Sequence, residues 1–122
     1  MGSVLLVGMG GALGAVGRYG LSLLPWRGDF PLLTLLTNLL GAVLIGFVAG
    51  MAGRGRLPSG WTLFWKTGVC GGFTTFSTFS SDVVRMLKSG DYTAAGLCVA
   101  LNFAVCVCCI LLGTALGRLL KR

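Results

Sequence analysis

Between Gly71 and Asp82 the chain reads Gly-Gly-Phe-Thr-Thr-Phe-Ser-Thr-Phe-Ser-Ser-Asp. From Thr74 to Ser81, six of eight residues carry a hydroxyl, and the other two are Phe76 and Phe79. A hydroxyl offers one donor and two acceptor lone pairs. The edge of a phenyl ring is positive while its face is negative. Together they suit weak, repeated contact with a small hydrated anion, which permits release as well as entry. The paired glycines weaken helical pairing, so a helix broken between Gly71 and Thr75 is expected, with carbonyls freed to bind something. Phe73, Phe76 and Phe79 recur at every third residue, so neighbours share one helix face. That spacing serves a packing ridge as well as a row of anion-facing edges.

Other polar groups are sparse. Asn38 and Asn102 sit inside apolar runs, where a buried amide marks either a permeation path or an interhelical hydrogen bond. Arg18 lies near a run's end, where it can snorkel to the interface or draw anions toward a vestibule. Asp82 reads as a helix-end charge facing water. The five cysteines, Cys70, Cys98, Cys106, Cys108 and Cys109, show no CxxC spacing, and the chain has no histidine. Neither a zinc site nor a disulfide framework fits that pattern; small apolar fillers of a helix interface do. With no His, no Glu and three peripheral Asp, acid/base pairs are lacking, and an enzyme is not expected.

The elements that position these groups must be membrane spans. Of 122 residues, 55% are hydrophobic and 11% charged, against about a quarter charged in soluble domains. About 20 apolar residues cross a bilayer core as a helix. The pattern predicts an all-α, four-helix polytopic fold with spans near 2–24, 31–53, 62–87 and 92–117, the third broken within the membrane. The spacings Gly10/Gly14, Gly46/Gly50, Gly68/Gly72 and Gly113/Gly117 put one small-xxx-small pair in each helix, allowing close backbone approach. The net charge of +7 is strung along the ends of apolar segments, as in lipid-headgroup contact, so no nucleic-acid partner is expected. Six cations (Arg54, Arg56, Lys66, Arg118, Lys121, Arg122) fall on the side of the termini and four (Arg18, Arg27, Arg85, Lys88) opposite. So small a bias specifies orientation weakly. The N-terminus fits neither a signal peptide nor a myristoylation pattern.

With these residues in view, the chain resembles the fluoride channel family, also called CrcB or Fluc. The resemblance spans all four helices. It rests on Gly10-Gly11-Ala12-Leu13-Gly14-Ala15 with Arg18-Tyr19, on Asn38-Leu39-Leu40-Gly41, and on the run from Gly71 to Ser80. It implies a dual-topology, antiparallel homodimer in the plasma (inner) membrane, with two pores along the interface passively exporting fluoride. By the same resemblance, Phe76 and Phe79 form an aromatic box, and Asn38 is the pore-lining asparagine of the second helix. Thr75, Ser77 and Thr78 belong to the matching hydroxyl run beside the ion track, and Arg18 matches a first-helix arginine. The backbone carbonyls of Gly71 and Thr74 match those that hold a structural sodium ion; no organic cofactor is implied. Cys98 stands where a tyrosine or another polar residue is expected, and Asn102 shares its helix.

The main rival is a small multidrug exporter, also of four helices and sometimes of dual topology. Proton coupling requires a carboxylate within a span, and Asp29, Asp82 and Asp91 lie at or near span ends. A purely structural membrane subunit accounts for the glycines but not for the hydroxyl-rich break.

Overall fold

Apolar runs of this length satisfy their main-chain groups within one segment, as hydrocarbon demands. The computed structural model describes residues 1–120, and every regular element among them is helical. Lys121 and Arg122, counted above among the cations, lie outside the described residues. Helices α1 (Gly2–Ser22), α2 (Leu32–Ala52) and α5 (Tyr92–Leu119) are each long and apolar enough to cross a membrane. The third span is in pieces. Its first half, α3 (residues 59–73), starts as Ser59–Thr62, widens into π-helical winding over Leu63–Cys70 and closes with Gly71–Phe73. Its second half, α4, is Phe76–Lys88.

Thr74 (φ −77°, ψ 153°) and Thr75 (φ −145°, ψ 116°) are extended and separate the halves. The break is therefore narrower than the expected Gly71–Thr75, because Gly71 through Phe73 stay wound. Glycine lowers helix propensity by only about 1 kcal/mol, and Gly72 here sets its backbone against that of Gly11. Packing outweighs propensity at that point. The loops turn on Gly55 (φ +66°) after α2 and Gly90 (φ +81°) after α4, a conformation glycine adopts without strain. Asp91 then caps α5 by accepting from the Ala94 N–H at 3.1 Å.

Two glycine seams set the bundle. In the first, α1 lies on α3: a Cβ on Gly10 would strike the Phe64 carbonyl, one on Gly14 the Val69 carbonyl, and one on Gly72 the Gly11 carbonyl. In the second, α2 lies on α5: Gly46 and Gly50 face the carbonyls of Ile110 and Thr114, while Gly113 and Gly117 face those of Val43 and Phe47. Each of the four sequence pairs thus lies at a backbone-to-backbone contact. Dispersion and weak polar contacts drive such packing where lipid supplies no hydrophobic force.

Helix α4 leans on α5 through a small core of Met86, Ala95 and Cys98, with Phe30, Phe79 and Val83 against it. Much of the remaining apolar surface is exposed, including Leu13 and Val16 on α1 and Phe103 and Leu111 on α5. That is the surface a bilayer covers.

Candidate functional site at the helix break

Helix α2 presents Asn38 and, one turn on, Gly41 to the break. A Cβ on Gly41 would meet the Thr74 methyl and lie 3.4 Å from the Phe73 ring. Glycine therefore admits the broken segment, and Asn38 holds it. Asn38 Oδ1 accepts the Thr75 N–H at 2.9 Å, and Asn38 Nδ2 donates to the Thr75 carbonyl at 3.2 Å. An extended residue shows its N–H and C=O on the same side, as in a strand pair. A carboxamide carries an acceptor and a donor on adjacent atoms, so asparagine replaces a neighbouring strand here. Asn38 Nδ2 also donates to Asn102 Oδ1 at 3.1 Å on α5.

Thr75 caps α4: its Oγ1 accepts the Thr78 N–H at 3.1 Å and donates to Thr78 Oγ1 at 3.1 Å, with Ser77 Oγ at 3.3 Å. These bonds release two carbonyls. In an unbroken helix, Gly71 C=O would accept from Thr75 N–H and Thr74 C=O from Thr78 N–H. The first donor goes to Asn38 and the second to the Thr75 hydroxyl. Gly71 is exposed, with open space where a Cβ would stand. Thr74 Oγ1 turns back to the Cys70 carbonyl at 2.8 Å, leaving the Thr74 carbonyl as that residue's available oxygen. Among the described residues, no group of three His, Cys, Asp or Glu converges to hold a metal. The Gly71 and Thr74 main-chain carbonyls are oxygen ligands that this segment offers beside its hydroxyls.

Two cavities meet at the break. The larger, about 740 Å³, is an open groove between α2, α4 and α5. Its polar members are Asn38, Thr74, Thr75, Ser80 and Asn102; the rest of the wall is apolar, with Phe76 and Phe79 beside residues such as Val99, Phe103 and Val107. The rings of Phe76 and Phe79 are 5.6 Å apart, tilted by 52°, and Phe76 is 79% exposed. The smaller cavity, about 280 Å³, holds Arg18, Tyr19, Ser22, Thr34, Thr37, Thr75 and Thr78. Thr75 lines both cavities.

The expected residues are thus sorted. Asn38, Thr74, Thr75, Phe76 and Phe79 share the groove; Arg18 and Thr78 line the second cavity with Thr75; Gly71 and Ser77 line neither. The anticipated three-ring ridge has only two members. Phe73 belongs to α3, beyond the extended pair, and its ring packs between Gly17 and Gly41.

Of the two readings open for Asn102, the structure shows the interhelical hydrogen bond, while Asp82 departs from expectation. Asn102, 7% exposed, bonds Asn38 and also donates to the Cys98 carbonyl at 2.9 Å, with Cys98 Sγ at 3.6 Å. Asp82 does not simply face water: it accepts from Thr34 Oγ1 at 2.9 Å and pairs with Arg85 at 3.4 Å. Thr34 and Asn38 lie four apart on α2, one turn on the same face. That recurrence of polar groups was the available signal.

Known proteins resemble this chain over most of its length. The family model described as CrcB-like protein, Camphor Resistance (CrcB), matches residues 5–114. The chain is 44% identical over 116 residues to the "Fluoride-specific ion channel FluC" of Thermococcus gammatolerans, covering 93% of this chain and 94% of that protein. It is 47% identical over 117 residues to "Fluoride-specific ion channel FluC 2" of Symbiobacterium thermophilum, covering 91% and 94%. With the FluC of Paramagnetospirillum magneticum it shares 39% identity over 123 residues, covering 96% of each. A family match over most of the length, together with three long apolar helices, makes this chain a multi-pass membrane protein that belongs to the CrcB-like family.

Proposed function

We propose that this chain is a fluoride-selective channel that lets fluoride leave the cytoplasm passively. The carrying observation is the groove that the Phe76 and Phe79 rings share with Asn38 and with Thr75, the cap of α4. The relatives' printed names support it. The first N–H groups of α4 have no carbonyl one turn back within the helix and carry the positive end of its dipole. Ring edges add weak positive potential without a full charge. Thr78 accepts from Thr75, so its own hydroxyl proton is free for an anion in the second cavity. Arg18 in that cavity supplies the attracting charge at the mouth.

In this reading the pore wall is completed by a second, antiparallel copy. The groove is open on one side, Phe76 is almost bare, and the cation bias is too small to enforce one orientation. The Gly71 and Thr74 carbonyls, deprived of their helical donors, fit a structural sodium ion shared between the copies. Such an ion would compensate carbonyl dipoles that hydrocarbon leaves bare. Proteoliposomes loaded with fluoride or with chloride test the function directly. Rapid fluoride efflux with chloride retained is expected; equal rates for both ions, or none for fluoride, would refute it.

A further inference from the structure

The Asn38 clamp has a ratchet behind it. Thr75 N–H is a donor and must face an oxygen, so Asn38 can present only Oδ1 to it. The Asn38 Nδ2 hydrogens then point at the Thr75 carbonyl and at α5. The α5 atom they meet must be an acceptor, and it is Asn102 Oδ1, 3.1 Å away. The rotation of Asn102 is settled in turn by the Cys98 carbonyl, which accepts from its Nδ2 at 2.9 Å. Cys98 is fully buried beside Met86 and Ala95, in the core that also holds Phe79. A chain of donors and acceptors thus runs from the packed core of α5, through two amides, to the extended Thr75 in the break of the third span.

We propose that Asn102 is a positioning residue for this channel. It locks the Asn38 amide in the one orientation that serves both polar groups of Thr75, and so holds the break and the Thr75 cap in register. Were the Asn38 amide to turn over, its NH₂ would confront the Thr75 N–H, donor against donor. With Asn102 in place, both Asn38 donors are occupied and only one Oδ1 lone pair remains. Asn38 therefore shapes Thr75, which lines both cavities. Buried polar groups in a membrane that lack a partner are destabilising. Loss of Asn102 frees one Asn38 donor and leaves the two Thr75 bonds alone to hold the amide.

This inference rests on the channel reading for its consequence but not for its test. The measurement is hydrogen exchange at the Thr75 backbone amide, by NMR of labelled protein in micelles, alongside fluoride efflux. Asn102→Leu should speed Thr75 exchange roughly three- to fifteenfold, the worth of one interhelical hydrogen bond, and slow fluoride efflux. Amides in mid-α2 should be unaffected. Asn102→Asp in its neutral form keeps an oxygen toward Asn38 and an O–H toward the Cys98 carbonyl, so Thr75 should remain protected. Unchanged Thr75 exchange in a folded Asn102→Leu protein would overturn the positioning role. If the leucine variant does not assemble, the aspartate variant decides: protection kept supports the role, protection lost overturns it. A wild-type chain that passes no fluoride would sink the channel reading and leave the exchange comparison standing.

Discussion

Asn38 grips Thr75 at both of its main-chain polar groups, accepting its N–H at 2.9 Å and donating to its C=O at 3.2 Å. A single side chain thereby satisfies the one fully extended, buried residue of the third span. An unpaired main-chain group in hydrocarbon costs several kcal/mol, so the break persists because asparagine lies opposite it.

Replacement at Asn38 should therefore be felt in both folding and transport. Asn38→Leu removes every bond of the clamp, at about 0.6 kcal/mol for an average interhelical bond and up to about 1.7. Thermal unfolding in detergent should shift down by roughly 1–3 kcal/mol on that basis, and fluoride efflux should collapse. Asn38→Asp keeps the acceptor to Thr75 and loses the donors, so an intermediate stability is expected. Equal stability of all three proteins would show that the clamp holds nothing.

Phe79 separates packing from permeation. Its ring is half in the α4–α5 core and half in the groove. Phe79→Ile keeps apolar bulk but removes the ring edge. The protein should fold, with a stability loss under about 1.5 kcal/mol as for other near-isosteric core changes, while fluoride efflux falls sharply. Full efflux from a folded Phe79→Ile protein would remove that ring from the ion path.

The glycine seams give a structural contrast with no bearing on the ion. A Cβ at Gly14 or Gly113 would strike a backbone carbonyl across the seam, while one at Gly96 meets nothing within 4 Å. Gly14→Ala and Gly113→Ala should each destabilise by about 1–3 kcal/mol, the usual range for overpacking. Gly96→Ala should be neutral or gain up to about 1 kcal/mol from helix propensity. Parallel melts of the three variants check this; a harmless Gly14→Ala would contradict the close α1–α3 approach.

Orientation follows from the cation count of six against four. Reporter tags on the C-terminus should be found on both faces of the membrane in comparable amounts. Adding two lysines to either face should tip the population to one orientation and lower efflux for want of an antiparallel partner. A tag found on one face only in the unaltered chain would exclude the antiparallel dimer.

The Gly71 and Thr74 carbonyls set the final expectation. If sodium compensates them, replacing it by a large organic cation should loosen the dimer or slow efflux. Crosslinking yield and efflux rate, each unchanged on exchange of the cation, would dispose of the site.

How much was legible beforehand can be judged residue by residue. Composition and run length alone require helices in a bilayer, since a chain so poor in charge has no way to cover itself with water-compatible groups. The four glycine pairs announced their seams because close approach depends on a missing Cβ, a property of the residue itself. The hydroxyl run and its two rings were visible for the same reason: their chemistry travels with their type.

Only the folded chain could decide where the third span breaks. Local propensity points to Gly71-Gly72, yet Gly72 is held helical against Gly11 while Thr74 and Thr75 are drawn out by Gly41 and Asn38 of another helix. Whether a buried asparagine lines a path or braces a neighbour is likewise a question of what stands opposite, and Asn38 to Asn102 spans 64 positions of sequence. Asp82 changes meaning in the same way once Thr34 reaches it. Residue type sets what a group can donate or accept; tertiary packing sets which partner it meets, and in a membrane with no water to substitute, that choice decides the backbone.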